Sequence, residues 1–139
     1  MITGASGFVG KRLCTFLLER NHNVIAVVRK NIHFEDGVSI NNIGNISEDT
    51  NWLPILKDVD AVIHLAAISN DPIGNKFEDV TKKVNYISTK KLIDLAVKNS
   101  VKKFVFASSC SMYGNTKNNK EKVKNEQSAL SPLTAYAKS

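Results

Sequence analysis

Three short runs, Asn23 to Arg29 (NVIAVVR), Asp60 to Ala67 (DAVIHLAA) and Lys103 to Ser108 (KFVFAS), are apolar and rich in β-branched residues. Segments with helical spacing lie between them. This alternation constrains the fold more than any other feature. A strand that is apolar on both faces must be covered on both faces, and intervening helices do this when the strands run parallel. Right-handed crossovers then give a doubly wound, mostly parallel α/β sheet.

The remaining elements follow from spacing. Met1-Ile2 reads as the tail of a first strand. Phe8 to Arg20 is expected as an amphipathic helix, with Phe8, Val9, Leu13, Phe16, Leu17 and Leu18 apolar. Val38 to Ile43 is a weaker strand. Glu48 to Lys57 reads as a short helix around Trp52, Leu53 and Leu56, with Pro54 in its first turns. Phe77 to Asn99 is expected as a long helix whose apolar face carries Val80, Val84, Ile87, Leu92, Leu95 and Ala96. Asn115 to Gln127 reads as a lysine-rich loop, and a new helix opens near Pro132. No internal repeat or second domain is visible.

A length of 139 residues suffices for one core, and 42% hydrophobic with 23% charged residues is a globular composition. No apolar run reaches the roughly 18 residues that span a bilayer. The start carries no secretory pattern, so a cytoplasmic protein is expected. The net charge of +6 comes from lysines without accompanying aromatic or arginine patterning. It reads as solvated helix faces, with neither nucleic acid nor membrane as partner. Cys14 and Cys110 have no CxxC or histidine-rich neighbourhood and read as free thiols; no metal site is expected.

The first chemical motif is TGASGFVG, Thr3 to Gly10, between a strand and a helix. Gly4 permits a sharp turn, Gly7 leaves room for a pyrophosphate, and Gly10 permits close packing of helix on strand. Phosphate-loop spacing is excluded, because it would need glycine at Ala5 and a hydroxyl at Arg12. At the end of the second strand, a carboxylate would suit the ribose hydroxyl of NAD. Val28-Arg29-Lys30 has none, which favours NADP within a general NAD(P) reading.

TGASGFVG, DAVIHLAA, FVFASSCSMYG and PLTAYAKS, in that order, resemble the extended short-chain dehydrogenases/reductases, the NAD-dependent epimerase/dehydratase family acting on nucleotide sugars. The resemblance covers essentially the whole chain. It implies that Gly4, Gly7 and Gly10, with Phe8 and Val9, form the pyrophosphate loop. Asn45-Ile46 falls at the adenine, where the family usually has Asp and an apolar residue. Leu65-Ala66-Ala67 is the wall beside the cofactor, Asn85 a helix asparagine near the active site, Ser109 the catalytic serine, Ser111 a substrate contact and Tyr136 the catalytic tyrosine. His64 and Tyr113 read more simply as packing residues.

Hydride transfer at a sugar carbon must be coupled to proton transfer at its oxygen. A free phenol titrates near 10. One cation at about 4 Å, in an effective dielectric of about 20, stabilises a phenolate by roughly 4 kcal/mol before desolvation. In this family the oxidised nicotinamide and a lysine four residues after the tyrosine are implied as those cations. Here that lysine would fall one position beyond Ser139. Lys138 is rotated roughly 200° around the helix from Tyr136 and cannot replace it.

The expectation is therefore a Rossmann-type NAD(P)-binding domain over residues 1–139, trimmed at both ends and lacking the substrate-binding region, from a parent able to form a homodimer. One alternative is a non-catalytic NADP-binding or regulatory protein; another is a decayed remnant without a stable fold. Sequencing the flanking coding region is expected to find lysine directly after Ser139; a stop codon there would sink the enzyme-fragment expectation.

Overall fold

The computed structural model describes residues 1–30, 32–47, 49–114 and 123–139. Five parallel strands form one sheet in the order β3-β2-β1-β4-β5. They are β1 (Ile2–Thr3), β2 (Val24–Val28), β3 (Val38–Asn42), β4 (Ala61–His64) and β5 (Lys103–Phe106). The first strand is central: Ile2 pairs with Ala26 on one side and Ile63 on the other, and Thr3 with Val27 and His64. The doubly wound expectation holds.

Strand alternation divides the core in two. Val27 and Val62 face a cluster with Trp52, Ile55, Leu56, Leu92 and Ala96. Val24, Ala26 and Val28 face the opposite cluster, with Ile2, Ala5 and Cys14, against Leu13 and Leu17. Helix α1 (Phe8–Leu18) covers the second face, while α2 (Leu53–Leu56) and α5 (Ser88–Lys98) cover the first. Each fully buried Leu or Val on these faces is worth about 1.5–3 kcal/mol over an exposed one.

The helix expected over Glu48 to Lys57 is only the four residues of α2, with Pro54 in its first turn. Proline has no N–H to give and fits where a helix starts, so it opens the helix instead of lying within it. Glu48 lies outside the described residues. Of the expected loop from Asn115 to Gln127, residues 115–122 also lie outside them.

The long helix shows the largest departure. It is α4 (Glu78–Lys82), a π turn (Lys83–Ile87) and α5 in succession. Its buried stripe is Thr81, Asn85, Ser88, Thr89, Leu92 and Ala96, while Val80 and Ile87 are exposed. The spacing is helical, but the first half of the stripe is polar because it meets polar groups. Thr81 Oγ1 donates to Gly74 O at 3.2 Å and Phe77 O at 3.0 Å, and Ser88 Oγ donates to Lys83 O at 2.7 Å. A second unexpected element precedes it, α3 (Asp71–Lys76), capped by Asn70, whose Oδ1 accepts from Ile73 N–H at 3.1 Å.

Two glycines of the first turn are required sterically. Gly4 has φ +68°, and a Cβ there would lie 2.8 Å from Ala66 N. A Cβ on Gly10 would lie 2.4 Å from Gly4 O and 2.7 Å from Ala5 Cα, so α1 packs directly on the turn. Gly10→Ala is expected to cost about 2–3 kcal/mol by overpacking. Urea unfolding would measure it, and a loss under about 0.5 kcal/mol, the range of an ordinary surface change, would contradict this packing.

Candidate active site

The loops at the carboxyl ends of the parallel strands frame a groove of about 770 Å³. Backbone polar groups at strand ends are free of the ladder, which is why open α/β sheets bind ligands there. Gly4, Ser6 and Gly7 line it after β1, and Arg29 lines it after β2. Ile43 to Ser47 and Asp49 follow β3, and Leu65 to Ser69 follow β4. Val80, Lys83 and Val84 reach it from the long helix. Arg29, Lys30, Gly44 and Asn45 line an adjoining hollow of about 390 Å³.

Phe8 and Val9 do not line the groove with their side chains, and Phe8 is 86% exposed. Their backbone is what matters locally. The Lys11 N–H bonds to Gly7 O at 3.0 Å, so the N–H groups of Phe8, Val9 and Gly10 precede the helical ladder. Gly7 supplies no side-chain cap. Such donors, at the positive end of α1, favour an anion.

One wall of the groove is held by a buried polar line. Ala66 N–H donates to Thr3 Oγ1 at 3.3 Å, and the same hydroxyl lies 2.6 Å from His64 Nδ1. His64 Nε2 lies 2.9 Å from Thr89 Oγ1 on α5. The ring is 2% exposed and stacks on Phe106. Burial lowers its pKa from the ordinary 6.5 to about 4. A neutral imidazole suits two hydroxyl neighbours, each of which can donate or accept.

A second cavity, of about 180 Å³, shares Ala66 and Ala67 with the groove. Asn85, Ser109, Met112, Tyr136 and Ser139 also line it. Ser109 caps a 3₁₀ turn (Cys110–Tyr113); its Oγ accepts from Ser111 N–H at 3.2 Å and donates to Ser111 Oγ at 3.0 Å. Ser111 is therefore bonded to Ser109 but is not part of the lining. Asn85 sits in the π turn, a feature frequent at functional sites. Its Oδ1 accepts from Ile68 N–H at 2.8 Å, and its Nδ2 donates to Ile68 O at 3.1 Å and Ser139 Oγ at 3.0 Å. Tyr136 stands on α6 (Ala135–Lys138), whereas Lys138 lines a separate hollow with Glu78, Asp79, Lys82 and Tyr86.

Of the residues singled out from sequence, Gly4, Gly7, Arg29, Asn45, Ile46 and Leu65 to Ala67 line the groove, and Asn85, Ser109 and Tyr136 line the adjoining cavity, whereas Phe8, Val9, Gly10 and Ser111 line neither. Ser6, Ser47, Asp49 and Lys83 join the groove without having been anticipated. No local pattern marks them as a set, because they arrive from two loops and the long helix. Helix α3 did have a signal: Asn70-Asp71-Pro72 reads as a cap followed by proline in the first turn.

A parallel sheet, a glycine turn after its central strand and a groove across the strand ends define a Rossmann-like α/β domain, the class that holds dinucleotides in this position. The model of the NAD dependent epimerase/dehydratase family matches residues 1–139, and the chain belongs to that family. It is 30% identical to the uncharacterized UDP-glucose epimerase YtcB of Bacillus subtilis, over 98% of this chain and 46% of that protein. It is 32% identical to the UDP-glucose 4-epimerase of Vibrio cholerae, over 82% of this chain and 35% of that one. Among solved structures, MoeE5 in complex with UDP-glucuronic acid and NAD superposes with TM-score 0.82 at 32% identity, over 99% of this chain and 44% of its own. The chain spans less than half the length of these proteins. Among the described residues, no helix is long and apolar enough to cross a membrane.

His64 generates a pH prediction. Its folded pKa of about 4 lies below the ordinary 6.5, so the unfolded chain binds more protons between those values. The stability associated with the neutral ring is complete above pH 6.5 and is lost as pH falls toward 4. The full loss is of order 3 kcal/mol. Urea unfolding from pH 7 to pH 4 should show a clearly flatter pH dependence for His64→Gln, at lower absolute stability. Identical slopes for the two proteins would refute the assignment.

Proposed function

We propose that residues 1–139 form the cofactor-binding half of an NAD(P)-dependent enzyme that epimerises, dehydrates or reduces a nucleotide sugar, with Ser109 and Tyr136 as the acid–base pair. The observation that carries this reading is the shared wall. Ala66 and Ala67 line both the long groove and the small cavity that Ser109 and Tyr136 line.

The residues present fit a dinucleotide. Glycines leave the turn open for a pyrophosphate, and Asn45, Ile46 and the wall residues Leu65 to Ala67 line the same groove. When bound, the nicotinamide supplies the hydride acceptor and donor. Tyr136 exchanges a proton with the sugar oxygen as the hydride moves at the carbon bearing it. Ser109 orients that oxygen through its hydroxyl. Asn85 and Ser111 complete the substrate side, bonded to Ser139 and Ser109 respectively.

The relative MoeE5 is described with NAD. In this chain Arg29 and Lys30 beside Gly44 and Asn45, with no carboxylate ending β2, support a phosphate on the adenosine ribose and hence NADP. Trp52, the sole tryptophan, packs in the cluster against Ile43 and Ile46, which line the groove. Its emission should therefore report binding. NADPH is expected to bind more tightly than NADH, and Arg29→Ala to weaken NADPH about tenfold while sparing NADH. Equal affinity for the two cofactors would remove the NADP preference; no binding of either at millimolar concentration would sink the whole reading.

Residues 1–139 alone are expected to show negligible turnover of sugar nucleotides, since Lys138 lines a different hollow and no lysine among the described residues lines the cavity of Tyr136. A measurable steady-state rate would overturn this.

A further inference from the structure

The short helix α3 touches neither hydroxyl of the proposed acid–base pair, yet three of its residues meet the start of the tyrosine helix. Asp71, Gly74 and Asn75 stand at i, i+3 and i+4, so they share one face. Asp71 Oδ1 accepts from Thr134 Oγ1 at 2.7 Å. Asn75 Oδ1 accepts from Ala135 N–H at 3.0 Å. Thr134 Oγ1 in turn accepts from Ala137 N–H at 3.1 Å, so Asp71 orients the hydroxyl that caps α6. Between the two polar contacts Gly74 lies alongside the tyrosine: a Cβ built there would lie 3.5 Å from Tyr136 Cβ, an ordinary contact distance.

Helix α3 is itself anchored. Asn70 caps it, and buried Thr81 donates to Gly74 O. Its start follows directly on the wall residues Leu65 to Ser69. The contacts therefore connect the cofactor wall to the tyrosine helix across more than sixty positions of sequence. An uncapped four-residue helix has little stability of its own, because most of its N–H groups precede the first helical bond.

We propose that Asp71 and Asn75 are positioning residues, which fix the first turn of α6 and thereby hold Tyr136 against the cavity it shares with Ser109. The proposal rests on the reading of Tyr136 as the acid–base residue.

The test uses the 139-residue chain labelled at backbone nitrogen and at tyrosine Cζ, with NADP⁺ and NAD⁺ as probes. Asp71→Ala and Asn75→Ala should each accelerate amide exchange at Ala135 and Ala137 about tenfold, as expected for a lost cap. Exchange in β2, the thermal midpoint and the cofactor Kd should change little. The shift of the Tyr136 Cζ signal on cofactor saturation should shrink by at least half. Asp71→Asn and Asn75→Asp keep an acceptor oxygen and should restore both readouts, which a loss of bulk packing would not explain. Thr134→Val probes the same clamp from the other side and should reproduce the alanine variants. Unchanged exchange, or faster exchange with an undiminished Tyr136 response, overturns the clamp and leaves the acid–base reading standing. A wild-type Tyr136 signal blind to bound cofactor instead overturns that reading, and the proposal with it.

Discussion

The hydroxyl of Thr3 stands where sheet, glycine turn and groove wall meet. It belongs to a strand of only two residues, which pairs on both sides at the centre of the sheet. It receives the N–H of Ala66 and joins His64, which reaches Thr89 on α5. Buried polar groups are costly unless satisfied, and here every one of these is. The same network fixes how close β4 and its following loop come to Gly4, whose missing side chain makes that approach possible. The shape of the groove depends on this contact.

Polar satisfaction also explains the long helix. An amphipathic helix ordinarily buries a hydrophobic stripe. This one buries Leu92 and Ala96 at its end but Thr81, Asn85, Ser88 and Thr89 before it. Each of those four has a hydrogen-bond partner. The helix thus serves as core on the side of Trp52 and as scaffold for loops on the side of the groove. Asn85 shows the second role, holding the Ile68 backbone at both its N–H and its carbonyl.

What could be read from sequence follows the same division. β2 and β4 were legible because strands buried on both faces have little freedom in composition. The glycine turn was legible because its positions admit no Cβ. The length of the Phe77 to Asn99 helix was legible, but its buried face was not: Val80 and Ile87 were expected inside and are exposed, because partners for His64 and Ile68 come from distant sequence. Helix α3 escaped notice because six residues without apolar periodicity leave only an asparagine–aspartate–proline start. Ser109 and Tyr136 were assigned by resemblance, and their placement in one cavity emerged only from the folded chain.

The π turn confines one irregularity to the middle of the long helix. A π turn amounts to one residue more than α-helical spacing allows. Asn85 lies within it, with Thr81 before it and Thr89, Leu92 and Ala96 after it. The wide turn takes up that residue locally, so deleting a single residue from Lys83 to Ile87 would restore a regular α ladder while leaving Glu78–Lys82 near its present phase relative to α5. Thr81 would then stay beside the carbonyl of Gly74, and the change would fall on the turn that carries Asn85. The segments on either side thus behave as one helix, with the irregularity confined to the residue that holds the Ile68 backbone.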